Sequence, residues 1–316
     1  MCTAIALDQG GTFFGRNLDL EEDLHPSPIL CPRDCPLPLR HLPALTRHHA
    51  MLGMALEQDG FPLFFDAVSE HGLAMAGLNF PGECVYHRRK KDALNIAPFE
   101  LIPYVLGVCQ TLEQAQNLLT QANLTDDAFS PTLGSTPLHF MLASAEGSLV
   151  IESTAQGLCV YDNPAQVMTN SPAFPWHMQR LSDFMGLSRH PAENRLSPAL
   201  PLRAYSRGMG AMGLPGDLSS SSRFVRAAFA RANSAPPPLE DASEAGICQL
   251  FHLLDFVAFP HGCVQMRDGR FEYTVYSSCM DLERGSYHYR TYTQPRMQTV
   301  SLRGQEDGGV LRIFPL

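Results

Sequence analysis

Nothing in the sequence approaches the roughly 18 consecutive apolar residues of a membrane span, and the first residues lack the basic stretch followed by an apolar run that marks a secretory leader. A cytoplasmic address is the expectation. Basic residues are outnumbered, 23 Lys and Arg against 32 Asp and Glu, a formal charge of −9. That balance argues against nucleic-acid binding through phosphate neutralisation. No C-x-x-C pair occurs among the nine cysteines, Cys2, Cys31, Cys35, Cys84, Cys109, Cys159, Cys248, Cys263 and Cys279. Their odd number and scatter speak against a disulfide framework or a structural zinc site. The twelve histidines form no H-E-x-x-H or other short metal signature, so neither a metal nor a cofactor is expected. Repeats of 20 to 50 residues and long low-complexity linkers are also missing. The proline-rich stretch at 234–238 is short enough to be a loop, so one domain covering residues 1–316 is expected.

What is present is an ordinary globular composition, 45% hydrophobic and 17% charged over 316 residues, long enough to bury a sizeable core. Strand-like runs occupy 3–7, 12–18, 51–56 and 73–80. Helical periodicity follows at 98–106 and at 112–122, the latter opened by Thr111 with Glu113 and Gln114 in its first turn. Strands resume at 138–143, 149–152, 158–161 and 166–169, helices at 174–185, 223–232 and 243–257, and strands again at 271–279, 286–293 and 298–302. Runs of strands separated by blocks of helices, rather than strict alternation, point to an α+β fold with largely antiparallel sheets.

The chemistry concentrates at the N-terminus. Removal of Met1 would leave Cys2 with both a thiol and a free α-amine, whose unperturbed pKa of about 7.7 to 8 suits a general base at neutral pH. One residue would then supply nucleophile and base, an activation arrangement known for terminal threonine. A hairpin turning at Asp8-Gln9-Gly10-Gly11 brings Arg16 and Asp19 back toward Cys2. There a guanidinium would stabilise a thiolate and a carboxylate could orient the amine. The residues alone leave open a plain buried strand cysteine beside a solvated Arg–Asp surface pair.

Read together, Cys2-Thr3, GRNLD at 15–19, AGLNFPG at 76–82, VMTNSPAF at 167–174, GLPGDLSSSSRFVRAAF at 213–229 and YSSCMDLERGSYHYRTY at 276–292 resemble the choloylglycine hydrolases, in order through nearly the whole chain. The resemblance is narrowest to the bile salt hydrolases. It implies an N-terminal nucleophile hydrolase fold, an αββα sandwich with two central antiparallel sheets between helical layers, and a homotetramer. It also implies that Cys2 attacks the amide joining a bile acid to glycine or taurine, forming a thioester that water hydrolyses. Asn170 would bind the oxyanion through its side-chain amide and Asn79 through its backbone N–H, while Arg223 would lie near the nucleophile. Outside the resemblance, both asparagines read equally as turn residues, and Arg223 as a charge in a helix's first turn, where the macrodipole does not favour it.

A steroid substrate calls for a largely apolar pocket. The candidates are Leu18 and Leu20 beyond the hairpin, Phe61 and Phe65 in a second loop, and Phe129, Leu133 and Leu138 in a third, each of which could equally be core. Arg207 is a candidate contact for the carboxylate or sulfonate of the conjugate. The nearest alternative is a penicillin V acylase, a relative that more often carries tyrosine where this chain has Asn79. A different class of protein, a thiol redox or ligand-carrying protein, would rest on Cys31-Pro32-Arg33-Asp34-Cys35, whose C-x-x-x-C spacing is not that of thioredoxin-like sites.

Overall fold

Alternating apolar residues place two antiparallel sheets face to face, and the computed structural model describes residues 1–315 of them and their connections. In chain order, β1 (Cys2–Asp8) and β2 (Thr12–Leu20) form a hairpin. Its turn passes through Gly10 at φ 75°, a left-handed conformation that only glycine adopts freely. β3 (Ser27–Cys31), β4 (Met51–Gln58), β5 (Phe61–Ser69) and β6 (Ala74–Asn79) make a meander. An excursion then carries β7 (Leu94–Ile96), α1 (Leu101–Val108), α2 (Leu112–Leu119) and β8 (Ala122–Leu124). β9 (Leu138–Ser144), β10 (Gly147–Thr154), β11 (Gly157–Asp162) and β12 (Val167–Met168) follow. The helices α3 (Phe174–Leu181), α4 (Ser220–Asn233) and α5 (Ala242–Asp255) precede the last strands, β13 (Val264–Gln265), β14 (Phe271–Asp281), β15 (Ser286–Thr291), β16 (Gln298–Ser301) and β17 (Arg312–Ile313).

The first sheet runs β12-β1-β2-β14-β15-β16, with β13 added on β14; the second runs β11-β10-β9-β6-β5-β4-β3-β17. Residues of the second sheet alternate between two cores. Ala74, Ala76, Leu78, Met141, Ala143 and Val150 join the core shared with the first sheet and with α4 and α5, whereas Leu73, Met75, Phe140, Leu142, Leu149 and Ile151 pack with α1 and α2. A period of two with both faces buried is what puts a sheet in the middle of a layered stack. α4 is capped by Ser219, whose side chain accepts from the Ser222 N–H, and α5 by Asp241, which accepts from Ser243 and Glu244. The expected αββα arrangement is therefore found.

Several local expectations change. Residues 61–65, read as a loop, belong to β5; Pro62 and the buried charge of Asp66 interrupt the apolar pattern that would have announced a strand. The helix expected over 112–122 ends at Leu119, and its last residue instead starts β8, which pairs in parallel with β7. The helix expected over 174–185 ends at Leu181 and finishes in a 3₁₀ turn (Ser182–Phe184).

Candidate active site

Cys2 opens β1 with 2% of its surface exposed. Register puts Cys2 opposite Leu18 and Ala4 opposite Arg16, so Cys2 and Arg16 share a face two positions apart and Arg16 Nη2 donates to Cys2 Sγ at 2.6 Å. The solvated surface pair is excluded, since Arg16 and Asp19 are both fully buried. The rest of the guanidinium is occupied too, with Nη1 donating to the carbonyls of Phe65 at 3.0 Å and Gly77 at 2.8 Å. Burial opposes the Arg16 charge, but Cys2, Tyr276, Asp66 and Asp19 outweigh it and hold the group firmly cationic. Gly15 makes this placement possible, because a Cβ there would lie 2.2 Å from the Ser278 carbonyl oxygen on β14.

Asn170, just past β12, is the connector. Its Oδ1 accepts from the Cys2 backbone N–H at 2.8 Å and from Arg223 Nη2 at 2.7 Å, and its Nδ2 donates to the Asn79 carbonyl at 2.7 Å. One Nδ2 hydrogen is left for another acceptor. Asn79 ends β6, and the next residue, Phe80, donates to Pro137 O at 2.9 Å. Antiparallel alternation then makes the Asn79–Leu138 pair a non-hydrogen-bonded one, so the Asn79 N–H points away from β9, the same way as its carbonyl. Leu138 N donates instead to Tyr86 Oη at 2.9 Å. Arg223, in the first turn of α4, reaches across to donate to the Cys2 carbonyl and to Thr3 Oγ1 at 2.7 Å, a placement that overrides its poor position in the helix dipole.

Asp19 Oδ1 accepts from Thr274 Oγ1 at 2.6 Å, while Oδ2 is buried with no partner among the described residues. Burial raises its pKa above the ordinary carboxylate range, against the pull of Arg223, the N-terminus and Thr274. Met1 is present, so Cys2 N is a peptide nitrogen here. The Met1 ammonium donates to the Asp19 backbone carbonyl at 2.6 Å and pairs with Glu272, and burial lowers its pKa below the ordinary amine value.

A cleft of about 330 Å³ ends at Cys2. Leu18, Leu20, Phe65, Phe129, Leu133 and Leu138 line it, with Phe64, Phe99, Ile102 and Phe140, and with Glu21 and Asp127 as the only acidic side chains among the lining residues. Two expected contacts lie elsewhere. Phe61 stands one layer behind the wall, packed 5.9 Å from Phe99 and 6.0 Å from Phe129 between ring centroids. Arg207 is exposed on the long connection before α4 and does not line the cleft; the turn made by Gly208 at φ 79° belongs to that connection.

The chain from residue 2 to residue 307 matches the family model of linear amide C–N hydrolases, choloylglycine hydrolase family. It belongs to that family. The bile salt hydrolase/transferase of Lactiplantibacillus plantarum is 41% identical over 317 residues, covering 100% of this chain and 97% of that protein. The Clostridium perfringens protein of the same description is 33% identical, covering 99% and 96%. A crystal structure of a mutant conjugated bile acid hydrolase from C. perfringens superposes with a TM-score of 0.90 at 33% identity, covering 99% of this chain and 96% of that one. Penicillin V acylase from Agrobacterium tumefaciens shares the fold, with a TM-score of 0.77 at 21% identity over 99% and 91% of the two chains. This choloylglycine hydrolase is thus an enzyme of linear amides, and the carrier reading falls: Cys31 and Cys35 are both buried in the second core.

Sequence reasoning missed the support beneath Arg16. Asp66 of β5 accepts from Tyr276 and Tyr287, the latter at 2.6 Å, and is fully buried. Burial raises its pKa while Arg16 and the two phenols oppose the rise. A lone carboxylate inside an apolar run was the available signal. Potential metal ligands also gather at His49, Glu70 and His71. Both Glu70 oxygens are already engaged there by Arg33, and Oε1 by the Ala50 N–H as well, which leaves a cation-paired cluster rather than an open site.

Proposed function

We propose that this choloylglycine hydrolase cleaves the amide bond of glycine- or taurine-conjugated bile acids, with Cys2 as the nucleophile and a thioester intermediate. The observation that carries the reading is an apolar cleft ending at a thiol that is held by Arg16, with Asn170 bonded to both the Cys2 N–H and the Asn79 carbonyl. Removal of Met1 turns Cys2 N into an α-amine that keeps Asn170 Oδ1 as acceptor. Burial disfavours the charged form of an amine, and Cys2, where the new terminus would lie, is 2% exposed. The unpartnered Asp19 Oδ2 is a ready acceptor for that amine once it takes a proton.

In the reaction, the amine accepts the Cys2 thiol proton as Sγ bonds to the amide carbon, and the carbonyl oxygen becomes an oxyanion. The free Asn170 Nδ2 hydrogen and the Asn79 N–H stabilise that charge, each such donor contributing roughly 2.7 to 4 kcal/mol. The ammonium then protonates the leaving nitrogen, glycine or taurine departs, and a thioester remains. Water, deprotonated by the same amine, completes hydrolysis. Leu18, Leu20, Phe65, Phe129, Leu133 and Leu138 would enclose the steroid, Arg223 would hold Asn170 and the Cys2 carbonyl, and no metal or cofactor enters a step.

Amine release from glycocholate, taurocholate and penicillin V by the purified enzyme tests the substrate. We expect rapid cleavage of the bile salts; cleavage of penicillin V alone would replace the reading with its runner-up. We further propose a single functional domain, a cytoplasmic address to be checked by cell fractionation, and a homotetramer. Apolar side chains exposed between α3 and α4, Met185 at 82%, Leu196 at 79%, Tyr205 at 84% and Met212 at 65%, support a subunit contact on that connection. Light scattering should return about four times the 34.8 kDa chain mass.

A further inference from the structure

We propose that His139, oriented by Glu152, is a positioning residue that locks together the two halves of the oxyanion site; the inference rests on the roles given above to Asn170 and Asn79. His139 on β9 lies directly opposite Leu78 of β6 and Glu152 of β10, and neither His139 nor Glu152 has more than 1% of its surface exposed. The imidazole makes one contact to each half. Its Nε2 lies 2.9 Å from the carbonyl of Thr169, the residue before Asn170. Its face stacks on Phe80, the residue after Asn79, with centroids 4.3 Å apart and planes within 6°.

The tautomer follows from the partners. A carbonyl can only accept, so Nε2 carries a hydrogen, and Nδ1 faces Glu152 Oε1 at 3.2 Å. The same carboxylate oxygen accepts the Phe174 N–H at 2.9 Å, which ties the first residue of α3 to the ring. Residues 169–174 are therefore held at both ends by one His–Glu pair, with Asn170 between them. On the other side His177 Nε2 donates to the Asn170 carbonyl at 2.8 Å, its ring stacked on Phe224 beside Arg223. Asn170 cannot shift toward or away from Asn79 without breaking one of these contacts.

A buried His–Glu pair could serve only to stabilise the fold, and the two roles separate in their kinetics. Oxyanion donors act on the tetrahedral intermediate, not on ground-state binding in the cleft or on displacement at sp³ carbon. His139→Phe keeps the stack and loses the Thr169 link. For it we expect kcat on glycocholate to fall about 10- to 100-fold, KM to stay within about threefold, and alkylation of Cys2 by iodoacetamide to keep its wild-type rate. His139→Gln, which retains an amide donor, should recover much of the loss, and Glu152→Gln should lose about 3- to 10-fold in kcat.

Full kcat in His139→Phe, or a fall matched by an equal fall in Cys2 alkylation, overturns the proposal. If that variant does not fold, equal kcat for wild type, His139→Gln and Glu152→Gln overturns it. Failure of the wild-type enzyme on glycocholate would count against the substrate reading instead, and the same variants are then measured on whichever linear amide the wild type cleaves.

Discussion

Asn170 shows how much one side chain carries. It accepts from the Cys2 N–H and from Arg223 and donates to Asn79, so its amide plane is fixed from three sides. With Asn170 as the proposed oxyanion donor, Asn170→Ala should lower kcat by about 10²- to 10³-fold, with a smaller change in KM, measured by steady-state hydrolysis. Wild-type kcat in this variant would move the oxyanion elsewhere. Cys2 and Arg16 stood out in the sequence as a reactive and a charged residue brought together by a hairpin, whereas Asn170 was singled out only by its place in the motif VMTNSPAF that carries the family resemblance. Asp66 was not, since its phenolic partners Tyr276 and Tyr287 lie 210 and 221 residues away, and the one local signal, a lone carboxylate in an apolar run, does not say what would satisfy it. Arg207 misled for the converse reason: a charge beside tyrosine and glycine reads as a binding loop, and its true setting is an exposed connection.

At the scale of elements, the hairpin of β1 and β2 was readable from the mostly apolar run at 3–7 and from the turn Asp8-Gln9-Gly10-Gly11, and it alone predicts that Arg16 returns to Cys2. β5 escaped because Pro62 and Asp66 break its pattern, and β17 because two residues carry no period at all. Close approach of β2 to β14 is the element-level requirement. Gly15→Ala puts a Cβ 2.2 Å from Ser278 O and 2.9 Å from Leu250 Cδ2, and backbone cannot yield as a flexible side chain does. The expected cost is about 1 to 3 kcal/mol or more, read as a lower Tm in calorimetry. Turnover should fall further than stability at temperatures where the variant stays folded, because Arg16 moves with its strand. A Gly15→Ala enzyme with unchanged Tm and turnover would contradict this packing.

For the whole molecule, an α+β fold with largely antiparallel sheets was legible from the order of strand and helix blocks, and the sandwich of two sheets between helical layers only from the family resemblance, whereas the pairing order of the strands was not legible, being decided by contacts between distant segments. Stability across the molecule should depend on pH through buried histidines. Burial lowers the pKa of His288 on β15 to about 4, against the pull of Asp281, while the unfolded chain titrates near 6.5. Between those values the unfolded state binds the extra proton, so the contribution is complete above about pH 6.5 and is lost as pH falls toward 4. Its upper size is on the order of 3 kcal/mol. His177, also lowered by burial, acts with the same sign; the raised carboxyls of Asp19 and Asp66 act with the opposite one. Comparing wild type with His288→Gln isolates the group. The loss of Tm between pH 7 and 4.5 should be smaller in the variant, and identical pH profiles would remove His288 from the account.

The most direct measurement is intact mass spectrometry of the enzyme quenched within its first turnovers on glycocholate. The account predicts a chain that begins at Cys2 and carries one cholyl group in thioester linkage to it, absent from Cys2→Ala. A chain that turns over glycocholate with Met1 still attached, or an acyl group found on any other residue, would contradict it.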